Sequence, residues 1–415
     1  MSAVGDHSEH GPQYSTPSDG LYYGDYLQLE KLLSCQEPQS AKQGLEPAHD
    51  ETLFIIIHQT YELWFKQILH EIQSVIEIFH QDYVPEKDLG TALARLRRVT
   101  RIQQILNDQV GILQTMLPHD FLEFRKLLIP ASGFQSVQFR ILENRLGIPP
   151  DHRLKYQKTN YTKYFTEEHQ KALATSTSRT LFDGLQRWLE RTPFIKFGTF
   201  DFWDKYRSAV TDMIQDDRES LHAQHWISDE AQTLQSLKLD QTEKLFHSLF
   251  DKEAHDELVG KGFRRLSHRA TQAALLISLY REEPILHTPF QVLKTLTEID
   301  ENLSLWRYHH AIMVQRMIGS KMGTGGSSGF HYLRSTTSDR YKVFIDITNL
   351  STFFIPRQNL PELPKEVRNR LGFMYSSPPS SATQSDNEEE TGNKTSGSGE
   401  RVSEQSPGEP SEASL

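Results

Sequence analysis

Along most of this chain apolar side chains recur at steps of three and four, the period that places them on one buried face of an α-helix. The longest row is Phe54, Ile57, Tyr61, Phe65, Ile68, Ile72, Val75 and Phe79. It predicts a helix from about Asp50 to Gln81, whose start Asp50 and Glu51 favour through the helix dipole. A second row, Leu93, Leu96, Ile102, Leu106, Ile112 and Leu113, predicts a helix over 88–116. A third, Leu296, Ile299, Leu303, Trp306, Met313 and Met317, predicts a helix that runs into the loop Gly319–Gly329. Shorter helices are expected after Pro118, between Pro130–Phe134 and Gly147, at Glu167–Ala174, up to Pro193, over 201–250 and at 268–284. Residues 338–354 also read as helical despite their β-branched side chains, and Asp25 is placed to cap a short helix carrying Tyr26, Leu29 and Leu33. With no series of strands, no repeat and no βαβ alternation, the expected fold class is all-α, with one large helical domain at 20–375. The polar residues 1–19 are expected to be a flexible segment, and 376–415, rich in Ser, Glu and Pro and without an aromatic residue, a disordered acidic tail.

Two histidines interrupt these apolar rows. His310 fills the slot between Trp306 and Met313, while His309 lies about 100° round the helix. His58 sits one turn beyond Phe54 on the same side of its helix. A buried imidazole without a partner costs on the order of 1–3 kcal/mol, so each needs a carbonyl, a carboxylate or a metal. A hydrogen-bonded core histidine is the plain reading of either one alone. Arg125 projects beside Phe121 and Leu128; its planar fork suits a carboxylate, although an isolated surface arginine reads the same way. The loop Gly319–Gly329 has neither the order nor the spacing of a nucleotide-binding loop. Its glycines permit close backbone approach to a ligand and Thr324 adds a hydroxyl, whereas a flexible linker is the ordinary meaning of such a run.

Composition narrows the chemistry further. Of the net charge of -10, residues 376–415 carry -6 (eight acidic, two basic side chains), leaving -4 for the rest. Arg95, Arg97, Arg98 and Arg101 are not interleaved with stacking aromatics, so a solvated or ion-paired face is expected there and not a nucleic-acid surface. The longest clean apolar run, Leu53–Ile57, falls far short of the ~20 residues a bilayer span needs. The amino terminus lacks the basic start and apolar stretch of a signal peptide, and a cytoplasmic location is expected. Cys35, the single cysteine, excludes an internal disulfide or a thiolate cluster within one chain. Two metal chemistries stay open. A non-haem iron site needs two histidines and a carboxylate, and no third ligand stands at a suggestive spacing. A haem needs one proximal histidine and a large apolar pocket.

The segments FIIIHQTYELWFKQI, DFLEFRKLLIPASGFQSVQFRILEN, WLERTP, WRYHHAIMVQRMIGSKMGTGGSSGFHYLRST and DRYKVFIDITNLSTFFIPR closely resemble the tryptophan 2,3-dioxygenase family. With GLYYGDYLQLEKLL the resemblance runs co-linearly from about Gly20 to Arg357, and 148–180 and 205–245 match least. It implies an all-helical homotetramer that holds one haem b per subunit, ferrous when active. It also implies that the protein cleaves the indole C2–C3 bond of L-tryptophan with both atoms of O2, giving N-formyl-L-kynurenine. By position, the resemblance makes His310 the proximal iron ligand and His58 the group that hydrogen-bonds the indole N–H. Arg125 becomes the carboxylate clamp, aided by Thr324, with Phe54, Phe121 and Leu128 walling the indole pocket and Ser132 close to the haem. Tyr23 and Tyr26 match residues that the family contributes to a neighbouring subunit's pocket. The chain departs from the family at Ile57, where threonine is familiar, and at His309, where asparagine is. A haem sensor or carrier without turnover is the rival class, and a helical interaction protein a weaker one. The set Arg125, Thr324 and His58 favours an enzyme, because a sensor has no use for an amino-acid clamp.

Overall fold

The computed structural model describes residues 20–44, 46–149, 152–153, 165–192, 196–197, 200–326 and 329–372. The expected flexible segment 1–19 and the acidic tail 376–415 lie outside the described residues.

The chain opens with three short helices, α1 (Tyr23–Leu27), α2 (Leu29–Leu33) and α3 (Gln39–Lys42). Asp25 does not cap a helix here: it lies inside the first turn of α1, whose N-cap is Tyr22. Gln28, in the left-handed region at φ 52°, ends α1 and starts α2, so Tyr26 and Leu29 fall on separate helices. Then come the long helices α4 (His49–Phe79) and α5 (Glu86–Leu113), followed by α6 (Pro118–Arg125) and α7 (Val137–Leu146). Pro118 stands in the first turn of α6, where its missing N–H costs nothing. Gly147 closes α7 at φ 111°, and a Cβ there would come within 2.7 Å of Phe182, so both conformation and packing call for glycine.

Helices α8 (Glu167–Ser176) and α9 (Leu181–Glu190) precede a two-residue hairpin, β1 (Lys196–Phe197) against β2 (Phe200–Asp201). This two-residue pairing is the strand structure among the described residues and does not amount to a series of strands, in keeping with the all-α expectation. The remainder is α10 (Phe202–His222), α11 (Asp229–Phe250), α12 (Lys252–Gly260), α13 (His268–Leu279), α14 (Pro284–Ile318), α15 (Phe330–Ser335), α16 (Ile345–Thr348) and α17 (Lys365–Leu371). Within 338–354 only α16 is α-helical, flanked by 3-10 turns. The reason is a tertiary contact: the carboxylate of Asp300 accepts the backbone N–H groups of Val343 (3.0 Å) and Phe344 (2.5 Å), which turns the chain before a longer helix can form.

Three long helices, α4, α5 and α14, make the centre, with α5 packed on both others. Ile72, Val75 and Phe79 of α4, Leu96 and Val99 of α5 and Leu296 and Ile299 of α14 are fully buried in one core. The predicted rows pack, except at Ile112 of α5, which is exposed. Polar groups at the helix ends find partners: Glu51, assigned from sequence to the dipole of its own helix, is buried and binds Gln39 N and Ser40 N at the start of α3. The arginines of α5 are also tied down, Arg98 to Glu71 at 2.8 Å and Arg101 to Gln104 at 2.7 Å. A second apolar cluster, with Ile57, Phe124, Met317 and Ile318, closes the far end of the three-helix centre. Side chains of both clusters border one cavity, among them Phe65 of the first and Met116 of the second.

Candidate active site

The cavity is walled by side chains from α4, α6, α7 and α14, and by the glycine-rich loop that follows α14. Phe54, Phe121, Phe139, Trp306 and Met313 line it, so the wall is mainly aromatic and aliphatic. Phe54 and Phe121 stack with ring centroids 5.7 Å apart, and Phe124 meets both edge-on from behind.

Of the residues singled out from the sequence, His58, His310, Phe54, Phe121, Arg125, Ser132 and Thr324 all line this one cavity. Leu128 does not; it packs in the apolar cluster that backs Phe54 and Phe121. Tyr23 and Tyr26, each 70 % exposed on α1, are also not among the lining residues of their own chain.

His58 presents much of its surface to the cavity yet sits deep in the protein, and that desolvation lowers its pKa against the opposing pull of the Phe54 carbonyl and Glu62. Its Nδ1 lies 2.7 Å from the Phe54 carbonyl oxygen. A carbonyl only accepts, so Nδ1 carries the proton and the neutral ring keeps its lone pair on Nε2. His310, on the wall formed by α14, is desolvated more severely, and with His58 as a second cause its pKa is pushed down to about 4. Both imidazoles are therefore neutral at pH 7. His309, beside it on α14, is not part of the cavity wall.

Arg125, at the end of α6, donates from Nη2 to the carbonyl of Met322, while its Nε is buried without a protein partner. The side chain of the carboxylate-clamp candidate is thus linked directly to the loop that carries Thr324. That loop lies close on the turn before α7: a Cβ on Gly325 would come within 2.8 Å of Ser132 Cβ and Oγ.

The sequence pattern missed a charged part of the same wall. Glu143 of α7 is 2 % exposed and Arg307 of α14 is 4 % exposed, yet both line the cavity. Glu143 Oε1 accepts from Arg307 Nη2 at 2.9 Å, and its Oε2 accepts from Arg140 Nη1 at 2.9 Å. Arg153 Nε stands 3.7 Å from the same Oε2. Burial alone would raise the carboxyl pKa, but the guanidiniums of Arg140, Arg153 and Arg307 overcome it and hold Glu143 at about 2. The signal was present in the spacing: Arg307 stands four residues after Leu303 and three before His310, a charge inside the apolar row.

Fold and site together define an all-helical protein with an aromatic-walled cavity between two neutral imidazoles, bordered by guanidinium groups. A family model described as tryptophan 2,3-dioxygenase matches residues 7–354. The chain is 50% identical over 358 residues to a protein of Dictyostelium discoideum named tryptophan 2,3-dioxygenase, covering 86% of this chain and 89% of that relative. Proteins of the same name from Bdellovibrio bacteriovorus (48% identical; 86% of this chain, 99% of the relative) and Xenopus laevis (46%; 86% and 87%) are similarly close. The chain belongs to the tryptophan 2,3-dioxygenase family.

Proposed function

We propose that this chain is a haem-dependent dioxygenase that inserts both atoms of O2 across the indole C2–C3 bond of L-tryptophan to give N-formyl-L-kynurenine, the first step of tryptophan catabolism by the kynurenine pathway. The observation that carries this reading is the pair of neutral imidazoles, His58 and His310, on one aromatic-walled cavity that Arg125 and Thr324 also line. Names of relatives across most of the chain point to the same substrate.

The donor chemistry fits haem b, one per subunit. Haem asks for one imidazole and an apolar pocket, and a neutral His310 in this wall meets that demand. Arg140, beside Tyr332 on the same cavity, is suited to hold the carboxylates of the cofactor. Among the described residues no three His, Cys, Asp or Glu side chains gather as a site made only of side chains would need. When bound, haem in the ferrous state supplies the redox centre that activates O2.

The protein's own part is binding and orientation. His58 accepts the indole N–H at Nε2, the lone pair left by its bond to Phe54. It positions the ring and does not take the proton, since an indole N–H is far too weak an acid for imidazole. Arg125 exchanges its loop carbonyl for the substrate carboxylate, and the Thr324 hydroxyl shares the amino-acid end. Phe54 and Phe121 hold the indole and exclude water, with Leu128 supporting them from behind and Ser132 seating the loop.

The active form is a homotetramer. Ile105 and Ile112 of α5 and Leu305, Tyr308 and Ile312 of α14 recur at helical spacing but are exposed, which supports burial against another copy. Tyr23 and Tyr26, exposed on the amino-terminal arm, serve a neighbouring subunit's pocket. A cytoplasmic location agrees with a free, exposed Cys35; separately, no helix among the described residues is long and apolar enough to cross a membrane. The reading is tested by adding O2 and L-tryptophan to the haem-loaded, anaerobically reduced protein. Formylkynurenine is the expected product; none from a fully loaded protein would favour a haem sensor.

A further inference from the structure

A single buried carboxylate joins two walls of the cavity. Glu143 uses one oxygen for Arg307, three residues before His310 on α14, and the other for Arg140 on α7, each at 2.9 Å. Arg307 is further held by the Tyr341 carbonyl at 3.5 Å and lies over the Tyr341 ring, 5.0 Å from its centroid. Arg140 faces the rings of Phe134 and Phe139 at 5.8 and 5.7 Å. The helix that carries His310 and the helix that carries Arg140 are thus referenced to one point.

Stability is a poor explanation for such an arrangement. Desolvating an ion costs several kcal/mol, and well-packed apolar side chains usually do as well. What an apolar replacement cannot supply is a fixed negative charge beside the cavity. Its charge is secure at any working pH, because the three arginines keep the carboxyl ionised down to about pH 2.

We propose that Glu143 is a positioning residue for the cofactor site: it fixes His310 and Arg140 relative to one another and, through its charge, sets the reduction potential of the haem. This rests on the haem reading above. A negative charge near a haem disfavours the added electron of the ferrous state, and burial lengthens its reach. Glu143 therefore counters the arginines, whose positive charge favours ferrous haem.

The experiment is a spectroelectrochemical titration of full-length, haem-loaded protein, comparing the unaltered chain with Glu143→Gln, Glu143→Asp and Arg307→Gln. Glu143→Gln is expected to shift the midpoint potential to more positive values and to alter the ferrous Soret band as His310 loses its fixed orientation. Glu143→Asp, which keeps the charge, is expected to return the potential toward that of the unaltered chain. Should Glu143→Gln fail to fold, Arg307→Gln decides, with a shift of opposite sign expected. Unchanged potential in a fully loaded Glu143→Gln, or in Arg307→Gln where that variant decides, overturns the proposal. A folded, unaltered chain that takes up no haem overturns the haem reading itself, a failure visible before any variant is compared.

Discussion

The Nδ1–H of His58 donates to the carbonyl of Phe54, 2.7 Å away and one turn earlier on α4. That bond fixes the tautomer, and the tautomer leaves an acceptor on the cavity side. Two consequences are measurable. An N-methylated indole substrate, which has no N–H to donate, is expected to be turned over poorly by the unaltered protein, and His58→Ala is expected to lose much of that discrimination. Equal discrimination before and after the substitution would remove His58 from indole recognition.

Burial of the same imidazole, against the opposing pull of that bond, predicts a pH dependence. Burial lowers the pKa of His58, so the neutral acceptor survives into mildly acidic solution and is lost only as the pH falls through that depressed pKa. The acid limb of kcat/KM for L-tryptophan should therefore lie below the ordinary imidazole value of about 6.5, and His58→Ala should flatten it. Stability of the haem-free chain follows the same sign at His310, whose folded pKa of about 4 lies below its unfolded value. The unfolded state then binds more protons, so this contribution is complete above about pH 6.5 and is lost as the pH falls toward the folded pKa. Urea denaturation across that window, with His310→Gln as control, measures it.

Arg125 pairs with the Met322 carbonyl and keeps a buried Nε without a protein partner. Arg125→Leu is expected to raise KM for L-tryptophan by about 10- to 150-fold, the equivalent of losing a charge-assisted hydrogen bond of ~1.5–3 kcal/mol. Haem content should not change. A KM within twofold of the unaltered value would take the clamp out of the account.

His310→Ala is expected to abolish haem retention while leaving the helical content of the protein intact, measured by Soret absorbance and circular dichroism on one sample. His309→Ala, a substitution outside the cavity wall, is expected to retain haem. The reverse pattern would reassign the ligand.

The glycine loop rests on Ser132 so closely that a Cβ at Gly325 would stand 2.8 Å from its side chain. Gly325→Ala should lift the loop and weaken L-tryptophan binding, with haem content unaffected. Adding Ser132→Gly removes the clashing Cβ and should recover part of the affinity. Failure of the double variant to improve on the single one would mean that the loop acts by another route.

How much of this was legible before the structure depends on the kind of residue. Amphipathic rows mark their own buried face, so α4 and α5 could be bounded to within a few residues, and α14 at its carboxy-terminal end, although it begins at Pro284, twelve residues before the first position of the expected row; His58 and His310 stood out as polar members of those rows. Arg307 and Glu143 satisfy the same description, yet a charge in an apolar row becomes interpretable only when its partner, 164 residues away in sequence, is known. The segment 338–354 misled because its backbone is turned by Asp300, more than forty residues earlier. At Gln28 a left-handed residue, which no periodicity announces, divided one expected helix into two. Tyr23 and Tyr26 are exposed and lie outside the cavity wall of their own chain, so the role proposed for them depends on a neighbouring copy.

The proposed function requires this cavity to bring O2 and the indole of L-tryptophan together for insertion of both oxygen atoms. Mass analysis of the product formed by the haem-loaded, reduced protein under isotopically heavy dioxygen tests it directly. Formylkynurenine carrying two heavy oxygen atoms in each molecule is expected, one in the formyl group and one in the new ketone. A product with one heavy atom and one from water, or a tryptophan that returns unaltered, would contradict it.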